Sequence, residues 1–358
     1  MNQGDQGFSR CRNRCSSRRQ AAKSQRRCYA NRLGSQPLPP LYAAEALEQR
    51  LLLAVLYVDL NARGILHDGA SWDSAYVDLQ LALENAKAGD EIRIADGTYK
   101  PTATTDRTIS FALKTGVALY GGYAGVGAPN PDARDIAAYP TILSGEIGDP
   151  NTTTDNSYHV VYAEDVDSIT LLDSLIITAG NASRNKGYSD PCGYGGGMYN
   201  LAHYPTLSTP TLVHCTFVQN SALYGGGMCN YSSDPTLANP TLINCVFSKN
   251  SGQQGGGGMS NHNSAPILTG CTFTDNWACS GGGTYSYSNV SPTLVTPTFT
   301  NCTFSDNSAI FGGGMLNSAS TACIVTNCTF SGNSAREGGA AENDNNSTPR
   351  FTNCILWG

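Results

Sequence analysis

Carboxylates, side chains that serve in acid–base and hydrolytic chemistry, are sparse from residue 155 onward. Hydrolysis of a glycosidic bond needs two carboxylates at a set separation. Asp275 and Asp306 each come just before an Asn that recurs in a repeated pattern described below, at a position where the residue type varies. We therefore expect both to be solvated turn residues. Only Lys249, Arg336 and Arg350 carry positive charge between Gly195 and Gly358. From residue 155 onward, the acidic candidates are Asp155, Glu164, Asp165, Asp167, Asp173, Asp190, Asp234, Asp275, Asp306, Glu337, Glu342 and Asp344.

The histidines and the leader cysteines give no metal-site pattern. The three cysteines near the N-terminus lack the His or fourth Cys that completes a tetrahedral set. The five histidines are unclustered, and we expect each to be an exposed or loop residue rather than a ligand. The sequence therefore predicts no catalytic residue, no metal ligand and no cofactor, and it names no binding residue. The three cysteines are Cys11, Cys15 and Cys28, and the five histidines are His67, His159, His203, His214 and His262.

The elements that would position any site are six copies of one pattern between Gly195 and Gly358. A copy opens with Gly-Gly-Gly-Met, continues through a variable loop to Pro-Thr-Leu, and closes with Cys-x-Phe-x-x-Asn. The repeated cysteines are separated by 30, 26, 31, 26 and 26 residues. A fixed period in this range indicates stacked supersecondary units. The six cysteines are Cys215, Cys245, Cys271, Cys302, Cys328 and Cys354.

Each copy reads as short β-strands separated by turns, with no apolar stretch at helical spacing. Cys and Phe lie two residues apart and would share one face of a strand. The apolar residue three before the Cys needs a bend to reach that face. The Asn before four of the cysteines tolerates the left-handed conformation of such a bend. The pattern predicts three-sided coils that pair in parallel and form a β-helix, with the later Asn turning the next corner.

Stacking in register would place equivalent residues in columns along the axis. Phe would stack on Phe, and Asn side chains would hydrogen-bond between coils. Stacked cysteines point the same way, which strains a disulfide, so we expect buried free thiols that act as small hydrophobes. Four cysteines outside the column could pair in an exported protein, and the sequence leaves this open. They are Cys192, Cys229, Cys279 and Cys323.

The combination of Phe-x-x-Asn with Gly-Gly-x-Met resembles the repeats of chlamydial polymorphic membrane proteins and of other bacterial right-handed parallel β-helix surface proteins. Gly-Gly-Met stands here where Gly-Gly-Ala-Ile is more usual. The resemblance implies an all-β, single-stranded, right-handed solenoid of the pectin-lyase-like type. It also implies a secreted protein, or one on the outer cell surface or outer membrane, and in many cases adhesion. It does not imply one chemistry.

The N-terminal region differs in composition. Residues 1–34 hold nine Lys or Arg against Asp5, and we expect 1–42 to be a disordered basic leader rather than a nucleic-acid-binding segment. Residues 43–54 resemble the Leu-Glu-Pro-Arg-x-Leu-Leu motif of exported planctomycete proteins, with Gln49 in place of Pro. The apolar run Leu51–Leu56 is too short to span a bilayer, so no transmembrane segment is predicted.

The folded part is predicted to be one solenoid over 55–358. It comprises an amphipathic capping helix over 72–88, irregular coils over 90–180 and six regular repeats over 195–358. The last copy stops before its Asn turn. We expect either a longer natural chain or an end-to-end contact with a partner or a second copy.

The favoured function is a non-catalytic scaffold that binds an extracellular glycan or protein surface. Its contact residues would come from polar and aromatic loops after the Gly-Gly-Gly-Met strands. One alternative is a β-helix polysaccharide lyase or glycoside hydrolase with its acids on the early coils, and another is a purely structural envelope protein. The loops are Tyr199–Ser208, Tyr231–Leu237, Asn261–Ala265 and Tyr285–Pro292.

Overall fold

A computed structural model of the chain describes residues 53–184, 191–233, 237–289 and 295–357. These residues belong to one compact unit. The predicted basic leader and all but the last two residues of the export-related motif lie outside the described residues.

The described chain winds through four parallel β-sheets, which we call sheets A to D. Sheet A has ten strands: Val55–Val58, Glu91–Ala95, Ala118–Tyr123, Leu171–Asp173, Thr211–Val213, Thr241–Ile243, Ile267–Thr269, Thr298–Thr300, Ile324–Thr326 and Arg350–Thr352. Sheet B has nine: Gly97–Tyr99, Thr141–Ser144, Ile176–Thr178, Thr216–Val218, Val246–Ser248, Thr272–Thr274, Thr303–Ser305, Thr329–Ser331 and Ile355–Trp357.

Sheet C has eight strands: Phe111–Ala112, Val161–Glu164, Met198–Ala202, Met228–Ser232, Met259–His262, Thr284–Tyr287, Met315–Ser318 and Ala341–Asn343. Sheet D has six: Asn181–Ala182, Ser221–Tyr224, Ser251–Gly255, Trp277–Ser280, Ser308–Phe311 and Ser334–Glu337. A regular coil passes through sheets C, A, B and D in that order. The parallel β-helix predicted from the repeats is confirmed.

The prediction of three strands per coil is wrong, because the segment after the repeated Asn forms the strands of sheet D. These strands are short and polar, as in Ser251–Gly255, where Gly and Gln replace the apolar residues that mark a strand. Their parallel pairing with the coils above and below holds them extended. The strands of sheet D are therefore determined by pairing between coils and could not be predicted from the local sequence.

Left-handed residues form the corners of each coil. Asn244 and its equivalents before the column cysteines have φ between 51° and 66°, which confirms the predicted bend. At the next corner the left-handed residue is the one before the repeated Asn, for example Lys249 or Asp275, each with φ of 55°. The repeated Asn does not turn the corner, because its side chain is buried and bonded inside the coil.

In-register columns fill the core. Ring centroids of Phe247 and Phe273 are 4.8 Å apart, and those of Phe273 and Phe304 are 4.9 Å apart. The ten described cysteines are free thiols, and the column members are buried except Cys354, which is half-buried. One continuous apolar cluster extends from Val58 to Phe330. The spacing of the columns matches the distance between strands in a sheet.

The early helix is shorter than the predicted 72–88 and spans Leu79–Asn85. Asp78 begins it by accepting a hydrogen bond from the main-chain N–H of Gln80, and Ala86 is already extended. Tyr76 instead forms a parallel bridge with Val58, which keeps residues before Asp78 out of the helix. The helix buries Leu79, Ala82 and Leu83 against the first coils. No helix among the described residues is long and apolar enough to cross a membrane.

Candidate functional site

Three acidic residues of the early coils, Glu91, Asp132 and Asp173, are paired with arginines at the outer face of sheet A. Arg134 Nη2 lies 3.1 Å from Asp173 Oδ1, and Arg134 also packs over the ring of Tyr120. Arg93 contacts Glu91 at 2.6 Å and Asp132 at 3.4 Å. These pairs neutralise the carboxylates and fasten the 124–135 loop to the sheet.

The remaining acidic candidates do not gather at one place. Glu164 and Asp165 flank His203 at 3.4 and 3.5 Å. Asp275 and Asp306 are exposed corner residues, as predicted. Asp190 and Asp234 lie outside the described residues. Within the described ranges, no three His, Cys, Asp or Glu side chains are grouped so as to hold a metal ion.

The expectation of exposed or loop histidines is wrong for one of the five, and a second is a loop residue that is buried rather than exposed. His159 is buried, and its ring stacks on Tyr162. His262 ends a strand of sheet C and lies at the centre of a cluster of tyrosines. The sequence around His262 does not reveal this cluster, because the surrounding rings come from several coils.

In sheet C, the buried residues Met198, Met228 and Met259 are each followed by a residue on the outer side of the sheet. These following residues stack in a column, and large side chains in that column are interrupted by small ones. Tyr162 and Tyr199 pair in register, then Cys229 and Ser260 follow, and then Tyr285. Two small residues between two large aromatic ones leave space on the outer face of the sheet. A second gap lies in sheet D, where Tyr224 is followed by Gly255 and Ser280.

The ring of Tyr285 packs over Gly255 and the ring of His262 lies against Ser260, and the aromatic residues of this region line a cavity of about 400 Å³, which we call the tyrosine cavity. Such a volume is typical of a site for a small ligand. Six of its eight lining residues lie in the loop segments that the sequence predicted for binding, and Tyr194 and Tyr224 were missed. The lining residues are Tyr194, Tyr224, Tyr231, His262, Asn263, Tyr285, Tyr287 and Asn289.

His262 organises the rings of the cavity. Its ring centroid lies 5.0 Å from that of Tyr224, 5.9 Å from that of Tyr231 and 6.1 Å from that of Tyr287. Ser260 Oγ lies 2.9 Å from His262 Nε2 and fixes the orientation of the ring. Burial lowers the pKa of His262 to about 4, so the imidazole is neutral at physiological pH.

Two side chains with nucleophilic atoms near the cavity, Ser260 and Cys229, are both buried. Ser260 is fully buried, so its hydroxyl orients His262 and cannot reach a ligand as a nucleophile. Cys229 is also fully buried, and burial raises the pKa of its thiol well above its usual range. The cavity presents aromatic faces, phenol hydroxyls and the exposed amide of Asn289, while the Asn263 amide is already bonded to Ser232 and Asn289.

One comparison with known proteins bears on the fold. The family described as "Right handed beta helix region" matches residues 225–356. Among solved structures, pectin methylesterase PemA from Erwinia chrysanthemi is similar, with a TM-score of 0.43 and 12% identity over 81% of this chain and 80% of that chain. A search of curated proteins found no match. With the parallel sheets, the family match identifies an all-β, right-handed parallel β-helix.

Proposed function

We propose that the chain is an exported glycan-binding protein and that the tyrosine cavity is its binding site. The observation that carries the proposal is the lining itself, in which five tyrosines and a neutral histidine surround two asparagine side chains. The location outside the cell rests on the resemblance of the repeats and leader to exported bacterial proteins.

The lining suits a sugar for physical reasons. Tyrosine rings pack against the C–H faces of a pyranose ring, and their hydroxyls exchange hydrogen bonds with the sugar hydroxyls. The exposed amide of Asn289 supplies both donors and an acceptor, whereas the amide of Asn263 is bonded to the carbonyl of Ser232 and the main-chain N–H of Asn289. No charged side chain lines the cavity in the part of the chain that the structure describes, which favours an uncharged sugar over a uronate. The cavity volume accommodates a short segment of a polysaccharide.

The test is a glycan array with the full chain, followed by titration calorimetry on the best ligand. Removal of one stacking ring, Tyr231→Ala or Tyr287→Ala, is expected to weaken binding about tenfold or more. Tyr204→Ala is the matched control, because Tyr204 is 73% exposed and does not line the cavity. Circular dichroism of each variant establishes that the β-helix is retained.

Unchanged affinity in both cavity variants would overturn the assignment of the site. Binding restricted to a protein ligand would replace the glycan proposal by an adhesive one. An absence of any ligand would favour the structural role.

The second candidate is a carbohydrate-active enzyme. It is favoured by one observation, the group of Asp173, Arg134 and His214 on sheet A. Analysing the array ligands for cleaved products separates this candidate from simple binding.

A further inference from the structure

Five buried oxygen atoms near the turn formed by residues 145–157 have no hydrogen-bond partner. Buried polar atoms are nearly always satisfied, so a group of exceptions at one place requires an explanation such as water or an ion. Asn156, Ser157 and Asn181 are at least nine-tenths buried as whole residues. The five atoms are Glu146 Oε1, Asp155 Oδ1, Asn156 Oδ1, Ser157 Oγ and Asn181 Oδ1.

Hydrogen bonds link the chain segments that carry the five residues. The N–H of Ser157 donates to the carbonyl of Gly145, the residue before Glu146, at 2.9 Å. The N–H of Asn181 donates to the carbonyl of Ser157 at 2.8 Å. The carboxylate of Asp155 folds back on the same turn, where its Oδ2 accepts from the N–H of Asp149 at 2.7 Å.

The side-chain nitrogens of Asn156 and Asn181 are hydrogen-bonded, whereas their side-chain oxygens have no hydrogen-bond partner. Asn156 Nδ2 donates to the carbonyl of Ala179 at 2.8 Å, and Asn181 Nδ2 donates to the carbonyl of Thr153 at 2.6 Å. Arg107 contacts only the main-chain oxygens of the two asparagines, at 2.6 and 2.8 Å. The nearby guanidinium therefore supports the backbone of the turn and leaves both side-chain oxygens without a partner.

We propose that this turn binds a calcium ion through the side-chain oxygens of Glu146, Asp155, Asn156, Ser157 and Asn181. Ca²⁺ takes six to eight oxygen ligands from carboxylates, amides and water in a flexible arrangement, whereas Mg²⁺ requires near-ideal octahedral geometry. Two carboxylates supply the charge that balances a divalent ion. Neither carboxylate has an ion pair with a basic side chain in the described part of the chain.

Ordered water accounts for the same atoms less well. A water molecule can donate to the amide and hydroxyl oxygens, but it does not balance the charge of the Glu146 and Asp155 carboxylates. The ion would tie the turn to residue 181, at the start of sheet D. The proposed role is therefore stabilisation of the early coils, and it is independent of glycan binding at the tyrosine cavity.

The experiment uses the full chain after treatment with a chelator. Calorimetric titration with Ca²⁺ is expected to show binding of one ion, and Ca²⁺ is expected to raise the thermal unfolding midpoint by several degrees. Mg²⁺ at the same concentration should have a much smaller effect. The double variant Glu146→Gln with Asp155→Asn should bind Ca²⁺ about 100-fold more weakly or not at all.

Asp149→Asn is the matched control in the same turn. Asp149 is exposed, and its Oδ1 already accepts hydrogen bonds from Asn151, so this variant should bind Ca²⁺ like the wild type. The proposal is overturned if the chelated wild type neither binds nor is stabilised by Ca²⁺, or if the double variant binds as tightly as the wild type. Where the double variant does not fold, the wild-type titration and the single variant Asp155→Asn decide the question.

Discussion

At the scale of single residues, the repeated asparagines satisfy the interior of the coil. Asn276 Oδ1 accepts from the main-chain N–H and from Nδ2 of Asn250, each at 3.0 Å. Asn276 Nδ2 donates to the carbonyl of Phe247 and to Asn307 Oδ1, each at 2.9 Å. Every donor and acceptor of this buried amide is used, and each bond links neighbouring coils. The spacing of the repeats was sufficient to predict this column.

His262 shows what spacing could not predict. Its neighbours Tyr194, Tyr224 and Tyr287 belong to three different passes of the chain, and their contacts depend on how far each loop extends. A single residue type at an irregular place in a repeat carries no periodic signal. The small residues Cys229 and Ser260 become informative only when they are aligned with Tyr199 and Tyr285 in the stacked strands.

The lowered pKa of His262 predicts a loss of stability in acid. Its ordinary pKa is 6.5 and its folded-state pKa is about 4, so between these values the unfolded chain binds more protons. Stability is therefore complete above about pH 7 and falls as the pH approaches 4. The loss is about 2 kcal/mol after allowance for the partly exposed ring. The measurement is urea unfolding of the wild type and His262→Gln from pH 7.5 to 4.

The difference in unfolding free energy between these two proteins should shrink as the pH falls. His203→Gln is the control, because the His203 side chain is 52% exposed and lies beside two carboxylates. Its difference from the wild type should not shrink in this way. A constant difference between the wild type and His262→Gln would show that the imidazole is protonated normally in the folded state.

At the scale of one coil, sequence reasoning succeeded where a side chain points into the core. In each regular copy, the strands of sheets A and B have a Leu, a Phe or another apolar residue at the centre. The strands of both sheets were predicted. Sheet D was not predicted, since Ser251–Gly255 has neither apolar alternation nor β-branched residues. The helix was predicted too long, since the apolar spacing over 72–88 continues through residues that pair with sheet A.

The corners of a coil differ in their tolerance of a side chain. Gly256 has φ of 63°, and a Cβ there would lie 2.3 Å from the carbonyl oxygen of Met259. Gly256→Ala is therefore expected to cost about 3 kcal/mol or more, because backbone atoms must move and the left-handed conformation is itself unfavourable. Gly270 has φ of 66°, but a Cβ there would meet only the side chain of Asn244.

Gly270→Asn is thus the matched control for Gly256→Ala. Asn occupies the corresponding corner at Asn244, Asn301 and Asn327, so this change should cost less than about 1 kcal/mol. Urea unfolding of both variants measures the contrast. If both variants lowered the unfolding free energy equally, the left-handed conformation alone would explain the need for glycine. The close approach of the Met259 carbonyl to Gly256 would then not contribute.

At the scale of the whole molecule, the described coils depend on one another. A coil makes its strand hydrogen bonds with the coils above and below, so it cannot form its sheets alone. The apolar cluster continues from the irregular early coils into the regular ones. The Asn column also crosses that boundary, since Asn220 donates to the carbonyl of Ile177. These contacts predict cooperative unfolding across both kinds of coil.

A cavity in the middle of the Phe column tests this cooperativity. Phe273 is fully buried between Phe247 and Phe304, so Phe273→Ala should lower the unfolding free energy by about 3–5 kcal/mol. Hydrogen exchange should reveal the same loss in Thr216–Val218 and Thr329–Ser331, which lie two coils away on either side. Thr272→Ala, on the outer face of the same strand, should cost less than about 1 kcal/mol. Loss of protection confined to the coils next to Phe273 would mean that the solenoid unfolds in segments, and stability at the tyrosine cavity would then be set locally.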